Sequence, residues 1–205
     1  MILKKLELGA YAANCYIVGD EDTKDGMIID PGAESSLILK NVKTMALYIK
    51  KIVLTHSHID HIGALAEVKK ATGAEIIIHK NEAPSLESQS FGMMLSKPAP
   101  KPDRLVKDGD IIGVGKLRFT VIHTPGHTQG GMCLFTEGIV FTGDTLFNFS
   151  VGRADFPGSD FDQEITSIWQ KLMVLPDDTM VCPGHGPDTT IGFEKRANPF
   201  LHGER

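Results

Sequence analysis

Cysteine is scarce in this chain. Cys15, Cys133 and Cys182 are the three among 205 residues, far apart and with no CxxC pair. So odd and sparse a set fits reduced thiols in a cytosol better than a disulfide framework. Long apolar runs are missing too: none approaches the ~18 residues of a membrane span. The opening stretch MILKKLELGAYAANCYIV carries Lys4, Lys5 and Glu7 and has no apolar core or cleavage site, which reads against a signal peptide. Basic excess is absent: the net charge is −5, whereas a general nucleic-acid binder carries a basic stripe. There is no GxSxG elbow and no Ser–His–Asp pairing. Internal repeats, low-complexity tracts and linkers are also lacking, so residues 1–205 read as one domain. These absences predict a cytoplasmic protein with neither nucleic acid nor membrane as partner.

What is present is ordinary globular composition, 41% hydrophobic and 23% charged. A chain this long buries about 70% of its unfolded surface in a single core. Residues 15–20 (CYIVGD) and 26–32 (GMIIDPG) read as paired strands around a polar turn. From Ser35 the period lengthens, and Ile38, Val42, Met45 and Ile49 trace a helical stripe. KIVLT at 51–55 reads as a buried strand. Ile62, Leu65 and Val68 mark a second helix that Gly73 stops. EIIIH (75–79), LRFTVIH (117–123), GMCLF (131–135), GIVFTGD (138–144) and MVCPGHGP (180–187) read as further strands. A third helix carries Phe161, Ile165, Ile168 and Leu172, with Ser159 as its N-cap and Asp162 three residues on. Residues 81–103 hold four prolines and little periodicity; FGMML at 91–95 is a candidate lid, and a packed loop is the equal alternative. Strands alternating with helices predict an α/β architecture, and hairpin-like neighbours predict mixed sheets.

Histidine then draws attention. THSHIDH at 55–61 follows IVL and contains His56, His58, Asp60 and His61. Later strands lead in the same way into His127, Asp144 and His185. Each donor follows an apolar strand within a turn containing Gly, Pro or Thr, where loops of an α/β sheet converge. Gly126, Gly143 and Gly184 each directly precede a candidate donor. One such histidine alone would be an ordinary surface or core residue; five in the same context point to a metal site. Imidazole and carboxylate suit Zn²⁺, Fe²⁺ or Mn²⁺. A catalytic zinc usually takes three protein ligands, so seven donors suit two ions if one carboxylate bridges. His56 and His58, two apart in an extended turn, can grip one ion, and Asp60 with His61 can reach a second. His79, His123 and His202 read as structural, structural or supporting, and solvent-exposed, respectively.

THSHIDH resembles the HxHxDH signature of the metallo-β-lactamase superfamily. IIDPG (28–32), TPGHT (124–128), TGD (142–144) and PGHG (183–186) resemble its other motifs in the right order. The resemblance covers nearly the whole chain. It implies a four-layer αββα sandwich with a two-metal site at one edge of the sheets. It also implies His56, His58 and His127 on the first metal, Asp60, His61 and His185 on the second, Asp144 as the bridge, and a supporting aspartate in IIDPG. Asp60 and Asp144 would then orient the metals and the attacking hydroxide. Zinc is the first choice of ion, with iron or manganese as alternatives.

Two bound divalent ions lower the pKa of water to about 7 and polarise a carbonyl oxygen, which suits acyl hydrolysis. Fold alone does not choose the substrate. Asp144 points away from the zinc β-lactamases, which generally lack an aspartate bridge. GDTLFNFSVGRADFPGSD (143–160) and AANCY (12–16) resemble the glyoxalase II-like thioester hydrolases. The implied reaction is hydrolysis of an acyl-thiol such as S-lactoylglutathione. The 18 residues after PGHGP are too few for the helical region that helps those enzymes hold glutathione, so another thiol carrier stays open. Arg153 is the candidate contact for an anionic substrate, or else the partner of Asp155 or Asp160. An iron-dependent persulfide dioxygenase, a lactonase and a non-enzymatic metal-binding module are the alternatives.

Overall fold

The computed structural model describes residues 1–89 and 98–203. Six strands of the first half lie side by side in chain order: β1 (Ile2–Leu8), β2 (Ala13–Gly19), β3 (Asp25–Ile29), β4 (Tyr48–Leu54), β5 (Glu75–His79) and β6 (Arg104–Val106). The first three pair antiparallel and the rest add on parallel. A second sheet uses β7 (Ile111–Val114), β8 (Leu117–His123), β9 (Met132–Thr136) and β10 (Ile139–Gly143). A separate hairpin, β11 (Leu146–Phe147) with β12 (Ser150–Val151), follows. Then β13 (Met180–Pro183) and β14 (Thr189–Thr190) complete the second sheet in the order β14-β13-β10-β9-β8-β7. Both sheets are mixed: β10 is antiparallel to β9 and parallel to β13.

Alternation along the strands builds the layers, because successive side chains face opposite sides. In β2, Cys15 and Ile17 pack against Ile38 and Val42 of α1 (Ser35–Thr44) and against Leu65 and Val68 of α3 (Leu65–Thr72). The intervening Tyr16 and Val18 turn the other way, onto Phe119, Val121, Leu134 and Phe141 of the second sheet. That sheet's outer face, with Cys133, Val140 and Val181, packs on Ile168, Leu172 and Ile191. These belong to a π-helical turn (Ile168–Leu172) continuing α5 (Phe161–Ser167), and to α6 (Ile191–Ala197). The layers are helix, sheet, sheet, helix, as the αββα resemblance implies. Further short helices are α2 (Ile59–Ile62), α4 (Ala83–Gln89) and a 3-10 turn at Pro199–His202. Strands covered on both faces read as unbroken apolar runs, which is why KIVLT and EIIIH were legible. All three cysteines are free and buried. Among the described residues, no helix is long and apolar enough to cross a membrane.

Several element boundaries differ from the sequence reading. The first helix stops at Thr44, because Ala46 turns into the left-handed region (φ 53°). Ile49 therefore belongs to β4, whose alternation it fits equally well. The N-cap of α5 is Asp160, which accepts from the Gln163 N–H at 3.0 Å. Ser159 instead donates its hydroxyl to the His127 carbonyl at 2.8 Å. The segment 81–103 is not wholly irregular: it contains α4, whose Ala83 and Leu86 enter the core. FGMML at 91–95 lies outside the described residues.

Candidate metal centre

Strand direction gathers the donors. Asp30 follows β3, His56 and His58 follow β4, and Asp60 and His61 sit in the single turn of α2. His127, Asp144 and His185 follow β8, β10 and β13. All these strands end at one edge of the sandwich, so seven donors distant in sequence share one floor. The nitrogens of His56, His58 and His127 converge: His58 Nδ1 lies 3.1 Å from His56 Nε2 and 2.9 Å from His127 Nε2. A second group is Asp60, His61 and His185, with His185 Nε2 3.3 Å from Asp60 Oδ2 and from His61 Nε2. Each triad offers ligand atoms close enough together to hold one metal ion.

Asp144 stands between the triads. Its Oδ2 is 3.9 Å from His56 Nε2, 3.7 Å from His127 Nε2 and 3.6 Å from His185 Nε2. Its Oδ1 is 3.3 Å from His61 Nε2, yet this buried oxygen has no hydrogen-bond partner among the described residues. Gly184 makes the approach possible, because a Cβ there would overlap Asp144 Oδ1 and lie 2.9 Å from His61 Cε1. Gly126 (φ 151°) likewise admits the main chain of Glu164.

The outer nitrogens fix the rings. His61 Nδ1 lies 3.0 Å from Asp30 Oδ2, His127 Nδ1 2.7 Å from the Arg153 carbonyl and His185 Nδ1 3.1 Å from the Tyr11 carbonyl. Thr55 donates its hydroxyl to Asp30 at 2.6 Å, so it accepts from His56 Nδ1 at 3.1 Å. Four rings thus place their proton on Nδ1 and turn Nε2 inward, the arrangement that orients metal-binding histidines. Crowded inward lone pairs beside an unpartnered carboxylate oxygen fit divalent cations.

At the first triad the electrostatics agree. Burial first, then the neighbouring His127, pushes His58 down to about 4. Burial likewise holds His56 well below its ordinary value. Both rings are neutral at pH 7, as metal ligation requires. Burial opposes charge on His61, but the Asp144 and Asp30 carboxylates outweigh it and raise its pKa. Burial also opposes ionisation of Asp144, yet the surrounding histidines, His61 foremost, hold it far below the carboxylate range.

Above the donors opens a cleft of about 620 Å³, walled by Tyr11, Ile59, Phe147, Phe156 and Pro157. Arg153 lines it too, while its guanidinium pairs with Asp155 at 3.0 and 2.8 Å and lies 4.6 Å from the Phe156 ring centroid. Both readings of Arg153 thus keep a footing, with Asp155 rather than Asp160 as partner. His79 and His123 stack on each other (centroids 3.9 Å apart, planes at 14°), and neither lines the cleft. His202 is exposed.

Sequence reasoning missed two buried carboxylates. Glu164 accepts from the His127 N–H at 2.7 Å, and burial, with the charge of Asp144 adding to it, pushes its carboxyl up to about 8. A signal existed: position 164 shares the inward face of α5 with 161, 165 and 168. Glu82 binds two loops of the site, and no motif marked it. The aromatic walls were missed as well.

A layered α/β sandwich with His and Asp clusters able to seat divalent ions at one edge defines a metal-binding class. The chain belongs to the metallo-beta-lactamase superfamily, whose model matches residues 8–185. It is 37% identical over 211 residues to the hydroxyacylglutathione hydrolase GloC of Haemophilus influenzae, covering 98% of this chain and 99% of that protein. It is 34% identical over 207 residues to the probable metallo-hydrolase YqgX of Bacillus subtilis, covering 98% and 97%. Among solved structures it is similar to the B3 metallo-beta-lactamase BLEG-1 (TM-score 0.90, 35% identity, 98% and 100% covered). It is also similar to TTHA1623 in a di-iron-bound form (0.86, 38%, 97% and 100%) and to ETHE1 from Myxococcus xanthus (0.85, 33%, 99% and 85%).

Proposed function

We propose that the chain is a binuclear metal hydrolase that cleaves acyl thioesters, S-lactoylglutathione among them. The observation that carries this reading is Asp144, a buried carboxylate with an unpartnered oxygen between two donor triads. On this reading His56, His58 and His127 hold one ion, Asp60, His61 and His185 the other, and Asp144 bridges them. Zinc is the first choice; the likeness to a di-iron structure keeps iron in view. Ions so held supply Lewis acidity and an activated water.

The chain's own residues do the rest. Asp30, Thr55 and the Arg153 and Tyr11 carbonyls lock the imidazoles in place. Tyr11, Ile59, Phe147 and Phe156 offer apolar surface to an acyl group. Arg153 stands at the rim as the contact for a substrate carboxylate. A thiolate leaves readily, so the reaction asks for no strong general acid. The likeness to GloC supports the thioester choice. The test is hydrolysis of S-D-lactoylglutathione by metal-quantified protein, with Asp144→Ala beside it. A kcat/KM above about 10⁴ M⁻¹s⁻¹, lost in the variant, is expected; negligible turnover by protein holding two ions would discard the substrate.

The likeness to ETHE1 favours a second reading, an iron-dependent persulfide dioxygenase. Oxygen uptake on glutathione persulfide by iron-loaded protein, without thioester turnover, would select it. The likeness to BLEG-1 adds a β-lactam to the substrates to be assayed.

A further inference from the structure

We infer that Glu82 is a positioning residue that holds the first metal triad, and that triad alone, in its ligating geometry. The inference rests on the reading above, that His56, His58 and His127 hold an ion.

Glu82 is 1% exposed, and carboxyl oxygens that deep must find hydrogen-bond partners. Oε1 accepts from the Ser57 N–H at 3.0 Å and the Ser57 hydroxyl at 2.7 Å. Oε2 accepts from the Thr128 hydroxyl at 2.8 Å and the Gly130 N–H at 3.1 Å. Ser57 lies between His56 and His58, and Thr128 directly follows His127. One side chain therefore ties together the two loops that carry all three members of the triad. Gly130 packs so closely that a Cβ there would overlap the Glu82 main chain. Glu82 itself is anchored, its N–H donating to the His79 carbonyl at 2.9 Å.

The second triad has a different anchor. Asp30 binds His61 directly and accepts from Thr55, which in turn holds His56. The first triad thus rests on the buried carboxylates of Glu82 and Glu164 and the second on that of Asp30, with His56 shared through Thr55. Removing Glu82 unties the loop of His56 and His58 from the loop of His127, which keeps its bonds to Glu164 and Ser159, while His61, Asp60 and His185 keep their contacts.

The test is a chelator competition that resolves the two zinc affinities of the full chain. Glu82→Ala is expected to weaken one site by about 10- to 100-fold, the usual cost of losing such a support, and to leave the other within about 3-fold. Glu82→Gln is expected to fall between, because its amide oxygen still accepts from one loop while its NH₂ faces an N–H donor across the other. Should Glu82→Ala not fold, Ser57→Ala and Thr128→Val each remove the hydroxyl contact of one arm, leaving its backbone N–H, and are expected to weaken the same site to a smaller extent. Equal weakening of both sites, or wild-type affinity at both in every variant that folds, would overturn the inference. A wild-type chain that binds no zinc, iron or manganese would overturn the metal reading itself.

Discussion

At Gly184 a single added methyl group would strike the candidate metal centre directly. Its Cβ would overlap the Asp144 carboxylate and press on His61, and its backbone needs no positive φ, so Gly184→Ala isolates the steric effect. A displaced Asp144 carboxylate should cost about 100-fold in turnover with little change in thermal midpoint; wild-type turnover would show that Asp144 moves aside freely. His79 makes a second test. It is buried against His123, and burial pushes its pKa down to about 4, below the unfolded value of about 6.5. Its neutral form contributes fully above pH 6.5. As pH falls toward 4 the unfolded chain takes the proton first, so stability is lost, by about 2 kcal/mol at pH 5. Urea unfolding at pH 7 and pH 5 should therefore show a smaller drop for His79→Gln than for wild type. The seven donors were legible because their side-chain types are rare and each follows an apolar strand. Glu82 was not, since its partners are Ser57, Thr128 and Gly130, and no local pattern announces a contact spanning 25 to 48 residues.

Boundaries between elements followed physical rules that the sequence expresses ambiguously. Ile49 satisfies both a helical and a strand period, and the left-handed turn at Ala46 decided for the strand. Ser159 and Asp160 are both good N-caps; the aspartate caps α5, and the serine hydroxyl binds the His127 carbonyl. Asp160→Ala should accordingly cost about 1 kcal/mol in urea unfolding, and an unchanged midpoint would show that the cap adds nothing. Strand β1 was not legible because the adjacent Ile2–Leu3 and Lys4–Lys5 pairs interrupt the alternation of ILKKLEL, which is clean only from Lys5 to Leu8. Strand β7 and helix α6 are too short, four and seven residues, to leave a period.

For the molecule as a whole, the layered architecture followed from motif order, while sheet order did not. The β9–β10 hairpin was legible in residues 131–144, but nothing local says that β13 lies on the other side of β10, a pairing set by the long return through α5. The apolar layer shared by both sheets, from Tyr16 and Val18 to Phe119 and Phe141, leads us to expect one cooperative unfolding transition, as a single domain over 1–205 requires. Calorimetry showing two separated transitions would divide the chain between its sheets. The first measurement to make is the rate of S-D-lactoylglutathione hydrolysis as metal-stripped protein is titrated with zinc. The rate should start near zero and climb to a plateau at two ions per chain. Full activity in the stripped protein, or a plateau without turnover at two bound ions, would mean that the seven donors at the sheet edge do not make a thioester hydrolase.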